Sequence, residues 1–144
     1  MSISNLEQPN NISLFCGNFT SLNGKISQQP FTTQTINIIP STILSNYVVP
    51  NNSCLTVEVF ANGYDIAGAF INSAIAYNPY LILIKNVGGT ITIFGTGTNF
   101  VTAGDVGIST ANVSFTSVGN TFSIIINGVN GETINWSGNI TLFF

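Results

Sequence analysis

Apolar and polar residues alternate with a period of two along most of the chain, which is the spacing of half-buried β-strands. Between Leu55 and Phe60, aliphatic side chains occupy one face, whereas Thr56 and Glu58 occupy the other. Residues 90–94 show the same alternation. We find no 11-residue stretch with the 3.6-residue periodicity of an amphipathic helix. The pattern therefore predicts strands almost everywhere.

Turn signals separate these runs about every 8–12 residues, many of them Asn-Gly or Gly-Asn pairs that suit tight hairpins. This spacing predicts an all-β fold, an antiparallel β-sandwich of about 8–10 strands with a jelly-roll-like architecture. In the C-terminal run, Gly138 is interpreted as a bulge. The predicted strands, some of which could merge, lie near 12–19, 31–39, 42–49, 54–61, 66–77, 80–86, 90–95, 98–102, 106–116, 121–127 and 133–143.

The chain has 144 residues, a length that fits one domain. The polar stretch 1–11 is expected to be an N-terminal arm and residues 12–144 a single sandwich. The first ten residues lack the cationic and apolar regions of a signal peptide. The longest apolar stretch, 66–77, is too short to span a bilayer as a helix.

Charged residues make up only 5% of the chain, against roughly a quarter in an ordinary domain. Lys25 and Lys85 are the only cations, so nucleic acid and anionic membranes are not expected as partners. The hydrophobic fraction is 44% and the mean hydropathy is +0.43. A chain with so many apolar residues and so few charges is expected to bury part of its apolar surface against another subunit. The composition therefore predicts self-association.

The chain therefore has few side chains that could act as acids, bases or metal ligands. We expect no enzymatic activity and no cofactor. Without histidine, a Ser-His-Asp or Cys-His pair cannot form. Asp65 could meet Asp105 or Glu132 in space, but a solvated loop position is the preferred interpretation for each carboxylate. A zinc site cannot be built within one subunit, and a calcium site using Asp65 and Asp105 is a less favoured alternative.

Two cysteines are too few for a disulfide framework. Cys16 and Cys54 each lie in an apolar segment, and the preferred interpretation is two buried thiols. A bridge between them is the alternative.

A few aromatic residues are candidates for binding or packing. Tyr64 lies beside Asn62 and Asp65 in a predicted loop, and this combination suits hydroxyl-rich ligands such as sugars. The same three residues also suit a solvated turn that binds nothing. A second group is predicted to lie in the core or a subunit interface, because its members alternate with polar neighbours: Phe122, Ile134 and Trp136.

Three groups of motifs between residue 54 and the end of the chain form a recognisable pattern: Leu55–Ala61 with Tyr64-Asp65 and 67–77, Leu81–Asn86 with Gly88–Thr92, and Phe122–Ile126 with Gly128–Trp136. In these motifs the chain resembles the C-terminal β-sandwich head of virion surface proteins. These include bacteriophage tail and head fibres and similar proteins of other DNA viruses, such as giant viruses or virophages. One departure is Asn135, since members commonly carry an arginine near the tryptophan.

The resemblance implies a jelly-roll-like sandwich, often trimeric, at the surface of a virus particle. It thereby implies a virion location, with assembly in the host cytoplasm. The expected function is attachment, with a host glycan, a host protein or another virion protein as the partner. A lectin-type module that need not be viral, or a purely structural decoration subunit, remains as an alternative.

Overall fold

The computed structural model describes residues 26–95 and 101–144, and within these ranges the fold is all-β and antiparallel. A short 3-10 turn, Val106–Ile108, lies between the sixth and seventh strands. No helix in the described ranges is long and apolar enough to cross a membrane. The strands are β1 (Ile26–Ile36), β2 (Ser41–Val48), β3 (Ser53–Ala67), β4 (Ala74–Val87), β5 (Thr90–Phe94), β6 (Val101–Gly104), β7 (Asn112–Val118), β8 (Thr121–Asn127) and β9 (Thr133–Phe143).

The strands form two sheets that face each other as a sandwich. The larger sheet has the order β1-β9-β3-β4-β5, with β6 paired to β4, and the smaller has the order β2-β8-β7. The first strand thus pairs with the last, and the second with the second-to-last. This nesting is that of a long hairpin folded over onto itself, as in jelly rolls.

The core lies between the sheets and is filled by every second residue of each strand, as the period-two pattern requires. Strand β3 presents Leu55, Val57 and Val59 inward, and each of them is fully buried. Strand β8 contributes Phe122, Ile124 and Ile126 from the opposite sheet. The other faces of the strands form the two outer surfaces of the sandwich.

Several sequence-based boundaries differ from the structure. The predicted strands near 66–77 and 80–86 are replaced by one strand, β4 (Ala74–Val87). Strand β3 continues without a break through Gly63 to Ala67, and the turn follows at 68–73 rather than at 62–65. Strand β3 can continue because it pairs on both sides, with β4 and with β9. Long-range pairing outweighs the local Asn-Gly turn signal here.

The bulge predicted at Gly138 is wrong. Gly138 pairs in register with Phe31 on one side and Ala61 on the other, and the inward alternation of β9 continues through it. A Cβ at this position would lie 2.0 Å from the Phe60 carbonyl oxygen and 2.7 Å from the Phe31 ring. Glycine is therefore required by close packing rather than by a bulge.

The predicted arm at 1–11 and the predicted strand near 12–19 lie outside the described residues, as does Cys16. Cys54 is buried and disulfide-bonded, which differs from the preferred interpretation of a buried free thiol.

Candidate functional site

A groove crosses the outer face of the larger sheet, on the half nearest the C-terminal end of β3. Strand pairing sets two rows of outward-pointing residues side by side across four strands. Most of their side chains end in a hydroxyl or an amide. In the order β1-β9-β3-β4, the rows are Gln34–Asn135–Tyr64–Ala74 and Thr32–Ser137–Asn62–Ala76.

The groove has a volume of about 1250 Å³, which exceeds the roughly 300–1,000 Å³ that is typical of small-molecule sites. Ala74 and Ala76 on β4 carry the smallest side chains of the two rows, so the floor of the groove is lowest there. Gly104, on the neighbouring strand β6, also lines it.

Tyr64 is the aromatic residue of the groove that reaches solvent, and 48% of it is exposed. Its hydroxyl donates a 2.7 Å hydrogen bond to Oδ1 of Asn72 in the β3–β4 turn. The ring is thus held at a fixed position along the groove. An aromatic ring held in this way can stack on the apolar face of a sugar.

The amides of the groove are also oriented. Gln34 Nε2 donates to Asn135 Oδ1 at 2.8 Å, a bond that joins the first strand to the last. Both side chains remain exposed. Paired amides of this kind present donors and acceptors in fixed directions to a polar ligand.

Among the described residues, one carboxylate lines the groove, that of Asp105. Its Oδ2 accepts a 2.8 Å hydrogen bond from the backbone N–H of Ala74, and its own N–H donates to the Ala74 carbonyl at 2.9 Å. Asp105 therefore fixes the edge of β4 to the segment after β6. Its side chain is exposed.

Trp136 lies beneath the groove with 2% of its surface exposed. Its indole N–H donates to Thr35 Oγ1 at 2.9 Å, and its ring lies 6.2 Å from that of Tyr77. The paired residue on β3 is Gly63, where a Cβ would approach the indole to 2.6 Å. Packing of Trp136 against a glycine thus supports the strands that carry Asn62 and Tyr64.

The other residues predicted for the core or an interface are also buried in the chain. Ile134 is fully buried on the same face of β9 as Trp136, and Phe122 is 1% exposed on the opposite sheet. All three contribute to the core between the sheets.

The three residues predicted to bind a ligand lie on opposite faces of β3. Asn62 and Tyr64 lie together on the exposed face of β3, in the groove, although they are on a strand rather than a loop. Asp65 is fully buried on the opposite face, because consecutive strand residues point to opposite sides. The expectation of a solvated loop position is therefore wrong for Asp65.

Asp65 instead meets Glu132, a second buried carboxyl with 2% exposure, so the solvated-loop expectation is also wrong for Glu132. Glu132 accepts backbone hydrogen bonds from Ala69 N–H at 3.1 Å and Phe70 N–H at 3.0 Å. Oδ2 of Asp65 is buried and accepts no hydrogen bond from an N–H or hydroxyl group of the described residues. Two carboxyl groups can bond to each other only if one of them carries a proton.

The surroundings place that proton on Asp65. Burial, followed by the bond to Glu132, raises the pKa of Asp65. Burial also opposes the ionisation of Glu132, but the N–H of Phe70, the bond from Asp65 and the N–H of Ala69 outweigh it and lower the Glu132 pKa. The two pKa values are thus moved in opposite directions, which favours a proton on Asp65 and a charge on Glu132. Glu132 anchors the β3–β4 turn beside the groove through its two backbone hydrogen bonds.

Within the described ranges, no group of three or more Cys, Asp or Glu side chains could hold a metal ion. Four polar residues with outward-facing side chains in the groove were not predicted to bind a ligand: Thr32, Gln34, Asn135 and Ser137. In β9 the alternation of Ile134 and Trp136 with polar neighbours placed Asn135 and Ser137 on the other face. Their position beside Tyr64 depends on the pairing of β9 with β1 and β3, which no local pattern indicates.

No family model matches the chain, and no curated protein sequence matches it. Among solved structures, the chain is similar to the tailspike protein of Acinetobacter baumannii phage AM24, with a TM-score of 0.42 and 11% sequence identity. The similar region covers 82% of this chain and 26% of that protein, so the chain spans about a quarter of the tailspike's length.

Proposed function

We propose that this chain is a non-enzymatic attachment domain whose groove binds carbohydrate, in a virion surface protein that self-associates as a trimer. The observation that carries the proposal is the groove itself, with its oriented amides, hydroxyls and Tyr64 ring. The viral setting is supported by the sequence resemblance over residues 54–144.

The chemistry of the groove suits a neutral, hydroxyl-rich ligand. Amide and hydroxyl groups can donate to and accept from sugar hydroxyls, and water can bridge the remaining distances. Among the described residues no cation lines the groove, so an anionic ligand would find no cationic partner among them. An open polar groove of this kind gives weak binding at a single site, which three linked copies would strengthen.

The distribution of carboxylates supports binding rather than glycoside hydrolysis. Hydrolysis requires two carboxyl groups that face the same sugar. Asp105 lies in the groove, whereas Asp65 is buried on the other side of the sheet and paired with Glu132. A bound glycan is therefore expected to be held and released intact.

Exposed apolar side chains at one end of the sandwich support self-association. We call them the apolar tip. The β1–β2 turn is held there by the bond from Asn37 N–H to the Glu132 carbonyl, and the β3–β4 turn by the Glu132 side chain. Both turns therefore lie near Glu132, and exposed apolar side chains grouped at one end of a domain are typical of an interface. Its members are between 40% and 67% exposed: Ile36, Ile38, Ile39, Ile66, Phe70 and Ile71.

A glycan array probed with the purified chain tests the proposal. We expect binding to a restricted set of neutral glycans. For Tyr64→Ala we expect a loss of about tenfold in affinity, equivalent to about 1.4 kcal/mol, because the ring supplies the large exposed apolar contact of the groove. Val118→Ala is the matched control, since Val118 is 80% exposed on β7, outside the groove. Flat binding of the wild type would contradict glycan recognition and favour a structural decoration subunit.

Sedimentation of the same sample tests the trimer separately. A stable monomer at micromolar concentration would contradict self-association while leaving the groove in place. Glycan binding and assembly can therefore fail independently.

A further inference from the structure

The outer face of the larger sheet has a second half, which is apolar. Pairing aligns Ile26 with Phe143, Phe143 with Thr56, and Leu83 with Phe94, so apolar side chains cross the sheet from β1 to β5. We call this region the apolar half. Its large exposed members are Ile26, Phe60, Leu81 and Phe94, with exposures between 37% and 48%, and the half-buried Phe143 lies among them.

Some side chains in this region are buried although they point outward. Cys54 and Thr56 lie on the same face of β3 as Asn62 and Tyr64, opposite the core residue Leu55. Yet Cys54 is 5% and Thr56 7% exposed, whereas Tyr64 is 48% exposed. Thr141 on β9, in the same region, is 8% exposed. The outer face is thus shielded from solvent around Cys54, Thr56 and Thr141, whereas it is open at the groove.

Cys54 is disulfide-bonded, and the chain contains one other cysteine, Cys16. We propose that the segment 1–25 lies across the apolar half and is anchored there by a disulfide between Cys16 and Cys54 of the same chain. The covering element is therefore the protein's own N-terminal segment. A disulfide is chemically compatible with the surface of a virion, where such bonds persist.

The reach of the chain permits this arrangement. Ile26 pairs with Phe143, which pairs with Thr56, so Cys54 lies within about 15 Å of Ile26. The roughly ten residues between Cys16 and Ile26 can span on the order of 30 Å when extended. An intrachain bond therefore needs no rearrangement of β1.

The sequence of the segment matches the surface. Ile12, Leu14 and Cys16 recur with a period of two, so in an extended segment they share one face. A bond from Cys16 would turn the two aliphatic side chains towards the apolar half. A cavity of about 370 Å³ is open there, lined by Ile26, Phe60 and Phe143 among others.

Charge also fits. Glu58 is the carboxylate that lines this cavity, and Lys25 immediately precedes Ile26, which lines it as well. The one carboxylate of the segment, Glu7, lies at a distance along the chain from Cys16. The segment therefore brings no carboxylate next to Cys16 in the sequence, and its one cation adjoins Ile26 in the sequence.

Peptide mapping of the full chain under non-reducing conditions tests the bond. We expect one cross-linked peptide pair containing Cys16 and Cys54, from protein that runs as a single chain on a non-reducing denaturing gel. A disulfide-linked dimer would overturn the proposal, because a second copy would then hold Cys54. Two alkylatable thiols in the untreated protein would overturn it as well.

Hydrogen–deuterium exchange tests the cover itself. In the oxidised wild type we expect the backbone amides near 12–16 to exchange at least about tenfold more slowly than in Cys16→Ser. The variant Ser13→Ala is the matched control, because it changes a neighbouring residue and retains the bond. Equal exchange in wild type and Cys16→Ser would overturn the proposal. Unchanged exchange in β8 of Cys16→Ser shows that the sandwich remains folded.

Discussion

The two halves of one sheet face are built from the same strands and yet have opposite chemistry. Strand β3 presents Asn62 and Tyr64 at one end and Phe60 with the shielded Thr56 at the other. Strand β9 changes in the same way, from Asn135 and Ser137 to Phe143. Alternation along a strand decides whether a residue points to the core or to the outer face. Position along the strand decides whether an outward residue lies in the groove or in the apolar half.

The difference has an energetic consequence. Covering a large apolar side chain contributes about 1.5–3 kcal/mol, so the apolar half gains from a covering segment. Amides and hydroxyls in the groove gain nothing from apolar cover and lose hydrogen bonds to water. One half of the face is therefore suited to permanent burial, and the other to reversible binding of a polar ligand.

The largest expected effect comes from removing the Trp136 ring, which supports the strands beneath the groove. Trp136→Ala deletes the buried ring beneath Gly63 together with its bond to Thr35, and we expect a loss of about 3–5 kcal/mol in the free energy of unfolding. Urea unfolding of the oxidised protein measures it. Ser137→Ala, the exposed neighbour, is the control and should change stability by no more than about 0.5 kcal/mol. Equal losses for both variants would contradict this account of the support.

A smaller effect concerns the carboxyl pair that anchors the turn beside the groove. Because the folded pKa of Asp65 is raised, its contribution to stability is complete below the unfolded pKa of about 3.9 and is lost as pH rises through the folded pKa. Because the folded pKa of Glu132 is lowered, its contribution is lost as pH falls through that value. Stability should therefore be highest near the unfolded pKa values, at about pH 4.

Asp65→Asn tests this behaviour, since the asparagine amide can donate to Glu132 at every pH. We expect the loss of stability above about pH 4 to disappear, while the loss at lower pH remains. Thermal unfolding across pH measures both. Val118→Ala, an exposed change on β7 far from the pair in the sequence, is the control and should keep both slopes of the wild-type profile. An Asp65→Asn protein with the wild-type slope would contradict the shared proton.

Local patterns predicted the fold class well and the site only in part. Alternation placed Leu55 inward and could have separated Asp65 from Tyr64, because adjacent strand residues face opposite sides. The Asn62-Gly63 pair was misread as a turn, since nothing local shows that β3 has a strand on each side. Gln34 and Asn135 meet across 101 residues of sequence, a contact that depends on topology alone.

The division of the sheet face into a binding half and a covered half is tested most directly by exchange mapping during glycan binding. The oxidised full chain would be titrated with a glycan identified on the array, and backbone exchange followed in both halves. We predict slower exchange at 32–34, 62–64 and 135–137, with no change at 54–60 or 139–143. Protection across the apolar half, or displacement of the N-terminal segment by the glycan, would contradict the account.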